Sequence, residues 1–133
     1  MLVDTSAWVE FDRGTGSATH LAIRDAIEAD ADIFVTEPVM MELLAGAKDP
    51  VRRRLLHRLL LRFELLRFDS TTDFLGASRV YQRCREAGHT PRDFVDCMIA
   101  AVALRHDVPL LGRDADFERI ALATDLRLQS VGV

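Results

Sequence analysis

The chain has 133 residues, 49% of them hydrophobic, a mean hydropathy of +0.06 and a formal net charge of −4. That length suits one domain with a real buried core, expected to span residues 1–133. No apolar run approaches the roughly 20 residues that span a bilayer, and Cys84 and Cys97 have no CxxC spacing and no second pair, which argues against zinc or disulfide frameworks.

The expected location is therefore the cytoplasm, with no membrane partner and both thiols buried in a reducing compartment. Charge is unevenly spread. From Lys48 to Arg92 there are 11 basic and 5 acidic residues, a local net of +6, while the remainder carries 6 basic and 16 acidic residues, a net of −10. Such asymmetry fits an anionic partner approaching one surface while acids gather elsewhere, although amphipathic helices that simply expose arginine give the same count.

In chain order, Leu2-Val3 reads as a minimal apolar strand delivering Asp4 at its end. Thr5 or Ser6 then offers a cap for a helix carrying Trp8, Val9 and Phe11. Asp12 to Ser17 is loop, and Leu21, Ile23 and Ile27 mark a second helix. Ile33-Phe34-Val35 is a second buried strand, after which Thr36 caps a helix ending at Gly46. Within that helix Glu42 lies among Met40, Met41, Leu43 and Leu44. Asp49-Pro50 is a cap followed by proline at the first helical position. The helix it launches carries Leu55, Leu56, Leu59 and Leu60 as one stripe, with Arg52, Arg53, His57 and Arg58 towards solvent. Leu65 to Phe68 is a third strand, and Thr71 or Thr72 starts a helix through Phe74, Leu75, Val80 and Tyr81 to Gly88.

Pro91 opens the helix around which the chain is organised, apolar from Cys97 to Leu104 except that Asp96 sits in its first turns. His106-Asp107 and Val108-Pro109 end it, and Pro109-Leu110-Leu111 is too short for anything but a buried parallel strand. Asp114 and Asp116 follow at once, Phe117 and Ile120 suggest one helical turn, and Leu126 to Val131 reads as a last edge strand. Strands alternating with helices predict an α/β fold, a parallel sheet of about five strands with helices on both faces and right-handed crossovers.

Asp4, Glu42, Asp96, Asp114 and Asp116 each follow a strand end or sit early in a helix near one. In a doubly wound sheet those positions converge at the carboxyl edge, where ligands bind. Unpaired carboxylates on apolar elements are costly, the stretch from Arg92 to Phe117 has no lysine, and Arg92 and Arg113 lie towards its edges. A divalent metal is the natural partner. Hard cations such as magnesium take oxygen ligands from a few carboxylates plus substrate phosphate, and such sites activate water for phosphodiester cleavage. His20, His57, His89 and His106 fall on helix surfaces or breaks, and no Ser-His-Asp or Cys-His arrangement can be placed beside the acids.

The opening MLVDTSAWVEF, the internal EPVMMELLAGA and the stretch DCMIAAVALRHDVPLLGRDADF, together with overall length, resemble the PIN-domain ribonucleases, specifically the VapC-type toxins of bacterial toxin–antitoxin pairs. The resemblance covers essentially the whole chain. It implies a three-layer PIN-like fold and endonucleolytic cleavage of a structured RNA, such as transfer or ribosomal RNA, dependent on Mg2+ or Mn2+. It makes Asp4, Glu42, Asp96, Asp114 and Asp116 the metal-binding and catalytic acids, with Ser6 in the hydroxyl position after the first aspartate. It also implies a homodimer and a cognate VapB-type antitoxin whose tail lies over the active-site groove. Gly112 departs from the pattern, since many relatives carry threonine or another polar residue there.

Each residue also has a plainer reading. Asp4 is a possible helix cap, Glu42 a helix-surface acid, and Asp114 and Asp116 turn residues of which one sits behind the metal. Asp93 is read as a cap and kept out of the site. Arg92 and Arg113 either hold RNA phosphate or only neutralise the pocket. The run Arg52 to Arg54 reads as a solvated face, and Trp8 as core or interface. Among rival functions, a receiver-like domain wants an acidic pair after the first strand and a late lysine, whereas Thr5-Ser6 follow Asp4 and Lys48 is the single lysine. A haloacid-dehalogenase-type phosphatase wants Asp-x-Asp, and Ser6 occupies the second place. A non-catalytic scaffold of the same fold usually loses acids, and all five are present.

Overall fold

The computed structural model describes residues 1–131. Its strands are minimal: β1 (Leu2–Val3), β2 (Phe34–Val35), β3 (Glu64–Leu65) and β4 (Leu110–Leu111). Helices α1 (Thr5–Arg13) and α2 (Ala18–Glu28) connect β1 to β2, and α3 (Glu37–Gly46) and α4 (Pro50–Leu60) connect β2 to β3. Helices α5 (Thr72–Glu86) and α6 (Phe94–His106) lead to β4, and α7 (Ala115–Ala123) follows it. All pairings are parallel and the strand order is β3-β2-β1-β4.

That order has one functional consequence. The chain moves outward from β1 to β2 to β3, then returns to lay β4 on the other side of β1. The connections diverge between β1 and β4, so the switch point where open α/β sheets bind ligands lies at the ends of Val3 and Leu111. Right-handed crossovers running in opposite directions place their helices on opposite faces. Helix α1 packs on α2 and α3, and α3 on α4, while α5, α6 and α7 pack together; α3, which carries Glu42, also meets α6, which carries Asp96.

Leu2, Val3, Leu110 and Leu111 are buried in the sheet's centre, whereas Glu64 and Leu65 of the edge strand are exposed. Helix α6 is the central helix: Cys97, Ile99, Ala100, Val102 and Ala103 are fully buried. Small residues allow the close approach to α5, where the space beside Gly76 ends at the Ala101 Cβ. Beyond them, Arg105 grips the buried Asp73 carboxylate of α5 with two hydrogen bonds of 2.9 and 2.8 Å and donates to the Arg67 carbonyl at 2.7 Å. The paired charges satisfy each other where either alone would be costly.

Four expectations are corrected. The fifth strand is reduced to a single parallel bridge, Leu110 to Leu128, because only Leu126 in that segment is buried and nothing beyond it packs against the core. The third strand lies at Glu64–Leu65 rather than Leu65 to Phe68, with the Leu66 N–H donating to the Val35 carbonyl at 2.8 Å. The helix expected to open at Pro91 starts at Phe94 with Asp93 as its cap. On α4, Leu56 and Leu60 are buried but Leu55 is 58% exposed, because the stripe facing the core is narrower than the four leucines.

This difference is measurable. Leu55→Ser should leave the urea midpoint nearly unchanged, within about 0.5 kcal/mol, while Leu60→Ala should cost about 2–5 kcal/mol. Equal losses would contradict the burial pattern.

Candidate active site

Three helix starts supply the acids. Asp4, at the end of β1, caps α1 itself: its Oδ2 accepts from the Ser6 N–H at 3.0 Å and the Ser6 hydroxyl at 2.7 Å. The expected caps Thr5 and Ser6 are instead the first residues of the helix. Asp93 caps α6, accepting from the Val95 N–H at 2.8 Å, and Asp96 lies in the first turn that follows. Asp114, just past β4, caps α7 by accepting from the Asp116 N–H at 2.9 Å. The positive ends of three helix dipoles therefore meet where the negative charge accumulates.

Carboxylate oxygens of Asp96, Asp114 and Asp116 lie within 4.8 Å of one another. Asp4 and Glu42 stand outside that spacing but are coupled to it by charge. Asp4 raises the Asp96 pKa and Glu42 raises that of Asp4. Glu42, half-buried on α3, is held by the Thr5 hydroxyl, which donates to its Oε1 at 2.7 Å.

The acids differ in how they are compensated. Asp116 is the neutralised one: its carboxylate accepts from Arg119 one turn on and from the Arg92 N–H at 2.9 Å, with the Arg92 Nε at 3.8 Å. Asp4 has hydrogen bonds to one oxygen only, and its buried Oδ1 has no partner. Asp96 has less: its Oδ2 is buried and unpartnered. Burial first, and then the charges of Asp4, Asp114, Asp93 and Asp116, push Asp96 up to about 8. Burial likewise lifts Asp4 to about 6 against the lowering effect of the Ser6 hydrogen bonds. Orphaned carboxylate oxygens beside a triad of acids form an all-oxygen donor set that fits a hard divalent cation. Without one, the cheapest state is a protonated carboxyl.

The residues expected to touch substrate are placed differently from one another. Ser6 is fully used within the protein, donating to Asp4 and accepting from the Arg113 N–H at 2.8 Å, so it ties the end of β1 to the end of β4. The Arg113 guanidinium pairs with Glu10 at 2.8 Å rather than with the acids. Arg92 keeps a 73% exposed side chain whose Nη2 reaches 4.0 Å from Asp114. Gly112 is explained by close approach: a Cβ there would meet the Phe117 ring at 3.0 Å and the Asp4 Cβ at 3.2 Å. Beyond Glu42 and Thr5 a groove of about 590 Å³ extends past Arg13, Lys48 and Arg52. Trp8 is fully buried, a core residue edge-on to Phe11 and tilted against Phe63.

Three contributors escaped the sequence reading. Arg119 was missed because the segment after Asp116 was expected to be a single turn, although Asp-x-x-Arg is the spacing of a helical ion pair. Glu10 gave no signal, since its partner lies across the sheet edge. Thr36 was read as a cap, but its side chain makes no capping bond and its hydroxyl is buried at the end of β2 without a partner.

The PIN domain family model matches residues 1–123. Ribonuclease VapC11 of Mycobacterium tuberculosis is 43% identical over 131 residues, 98% of each chain. A VapC ribonuclease of Mycobacterium bovis matches equally well. Among solved structures, VapBC2 of Rickettsia felis bound to a promoter DNA fragment superposes with a TM-score of 0.76 at 16% identity, covering 96% of both chains. VapC20 of Mycobacterium tuberculosis, described as a sarcin–ricin loop cleaving toxin, gives 0.58 at 18%, covering 95% of this chain and 98% of that one.

The raised Asp96 value fixes the sign of a pH dependence in metal-free protein. Between the usual carboxylate range and about pH 8 the native state keeps a proton that the unfolded chain has lost, so stability falls as pH rises through that window. Urea midpoints of metal-free protein from pH 5 to pH 8 should decline more steeply in wild type than in Asp96→Asn, by on the order of 1 kcal/mol per pH unit at most. Parallel slopes would show that Asp96 titrates normally.

Proposed function

The chain belongs to the PIN-domain family, and on that basis we propose that it is a metal-dependent endoribonuclease, the toxin of a type II toxin–antitoxin pair. The observation that carries this reading is the triad Asp96, Asp114 and Asp116, with an unpartnered buried oxygen on Asp96 and another on the neighbouring Asp4, in a chain 43% identical to a VapC ribonuclease along 98% of its length. We take residues 1–133 as one such domain. Among the described residues no helix is long and apolar enough to cross a membrane; the location in this proposal is the cytoplasm.

In this proposal Asp4, Glu42, Asp96, Asp114 and Asp116 would hold Mg2+ or Mn2+, with Asp96, Asp114 and Asp116 the close-set donors and Asp4 and Glu42 adjoining them. Such a cation, when bound, supplies the charge that polarises a phosphodiester and activates water. Asp116 also acts through position: its ion pair with Arg119 and its hydrogen bond from the Arg92 backbone fix the start of α7, and with it Asp114. Ser6 orients Asp4 and locks the strand ends together. The exposed Arg92 side chain is available to RNA phosphate, whereas Arg113 serves the fold through Glu10. Water adds to phosphorus and the 3′-oxygen leaves, giving a 3′-hydroxyl and a 5′-phosphate.

Structured RNA, transfer or ribosomal, is the proposed substrate class; a structural neighbour described as cleaving the sarcin–ricin loop supports it. The proposed partners are a VapB-type antitoxin and a second copy of the chain. Solved VapBC complexes that share this fold support the first. The groove past Arg13, Lys48 and Arg52 offers room for an antitoxin tail next to Glu42.

Purified, antitoxin-free protein should cut total bacterial RNA into discrete products with magnesium or manganese and not with chelator. Asp96→Asn should abolish cleavage with its circular dichroism unchanged, and Arg119→Gln should lower it about 10- to 100-fold. Cleavage by folded Asp96→Asn would refute the site.

A further inference from the structure

Beside the acids lies a surface the proposed chemistry does not use. Phe94 is the first residue of α6, between the cap Asp93 and the turn that carries Asp96, and it is 67% exposed. Its ring is not isolated: the Tyr81 ring of α5 lies 4.8 Å away at an interplanar angle of 41°, and the Arg85 guanidinium sits 5.8 Å from the Tyr81 centroid. One aromatic pair is thus backed by an arginine and open to solvent within the same helical turn as Asp96.

An exposed phenylalanine costs solvation free energy and here adds nothing to the core, because Val95, Asp96 and Cys97 make the inward contacts of that turn. The neighbouring charge indicates what covers it. Arg85 lies against the Tyr81 ring and Arg92, two residues before Phe94, is 73% exposed, so two arginines flank the aromatic pair, with the exposed cap Asp93 between Arg92 and Phe94. Proteins that hold single-stranded nucleic acid combine these two elements, aromatic faces for bases and arginines for the backbone.

We propose that Phe94, supported by Tyr81 and Arg85, is a stacking platform for an unpaired base of the RNA next to the phosphate to be cut at the acidic site. The proposal rests on the nuclease reading for its substrate. It adds a specificity element: the cut falls beside a nucleotide free to leave its own stack, in a loop or bulge rather than in the middle of a duplex.

The test uses full-length protein with magnesium and two fluorescent ten-mers, oligoadenylate and an abasic ribose-phosphate chain of equal charge. Phe94→Ala should weaken oligoadenylate binding on the order of tenfold and leave abasic binding unchanged. Phe94→Trp should restore affinity and add an exposed indole quenched by the base; the native Trp8 is fully buried and gives a steady background. No change on oligoadenylate, or equal loss on both chains, overturns the platform. So does a shift from dimer to monomer in Phe94→Ala by light scattering, which would make the ring a subunit contact. Failure of the nuclease reading looks different: base-dependent binding persists while total RNA stays uncut.

Discussion

Repulsion among carboxylates gathered in a buried crevice is the constraint that the rest of this structure accommodates. Left to itself the cluster would open or fill with water, because like charges within 4.8 Å of one another in a partly buried site cannot all ionise freely. The fold meets that cost in three ways. Helix starts α1, α6 and α7 converge on the acids, so peptide N–H groups and dipoles face them. Arg119 and the Arg92 backbone neutralise Asp116. What remains falls on Asp96, whose carboxyl keeps a proton near neutrality unless a cation replaces it.

The same constraint explains why capping and ligation need not compete. Asp4 uses one oxygen to cap α1 and leaves the other unpartnered, and Asp114 uses its Oδ1 to cap α7 while remaining within reach of Asp96. A carboxylate has two oxygens, and a helix start needs only one of them. The structural role orients the side chain; the chemical role uses what is left.

Much of this was legible in the sequence. The positions of β1, β2 and β4 and the parallel sheet follow from short apolar runs broken off at Asp4, Thr36 and Gly112, and the acids gather near those ends. What stayed hidden has physical reasons. A two-residue strand has no periodicity, so β3 was placed one residue late and the last strand was drawn long where the structure has one bridge. Leu55 resembles its neighbours in type, yet it lies on the solvent side of α4 while Leu56 faces the core. Pairs across the fold, Arg113 with Glu10 and Arg105 with Asp73, join residues distant in the chain and leave no local trace. Arg119 was within reach of spacing alone, had α7 been given its full length.

The brevity of the strands has a consequence for how the molecule behaves in a crowd. At roughly 3.3 Å per residue, β3 offers a stranger chain only about 7 Å of open backbone, too little to seed a growing intermolecular ladder. The opposite border is already closed by the segment around Leu128. A protein with a mostly parallel, apolar sheet core would ordinarily be at risk of templating its own precipitation as it accumulates. Here the sheet is a hub only two residues deep, its centre buried and its one open margin too short to propagate.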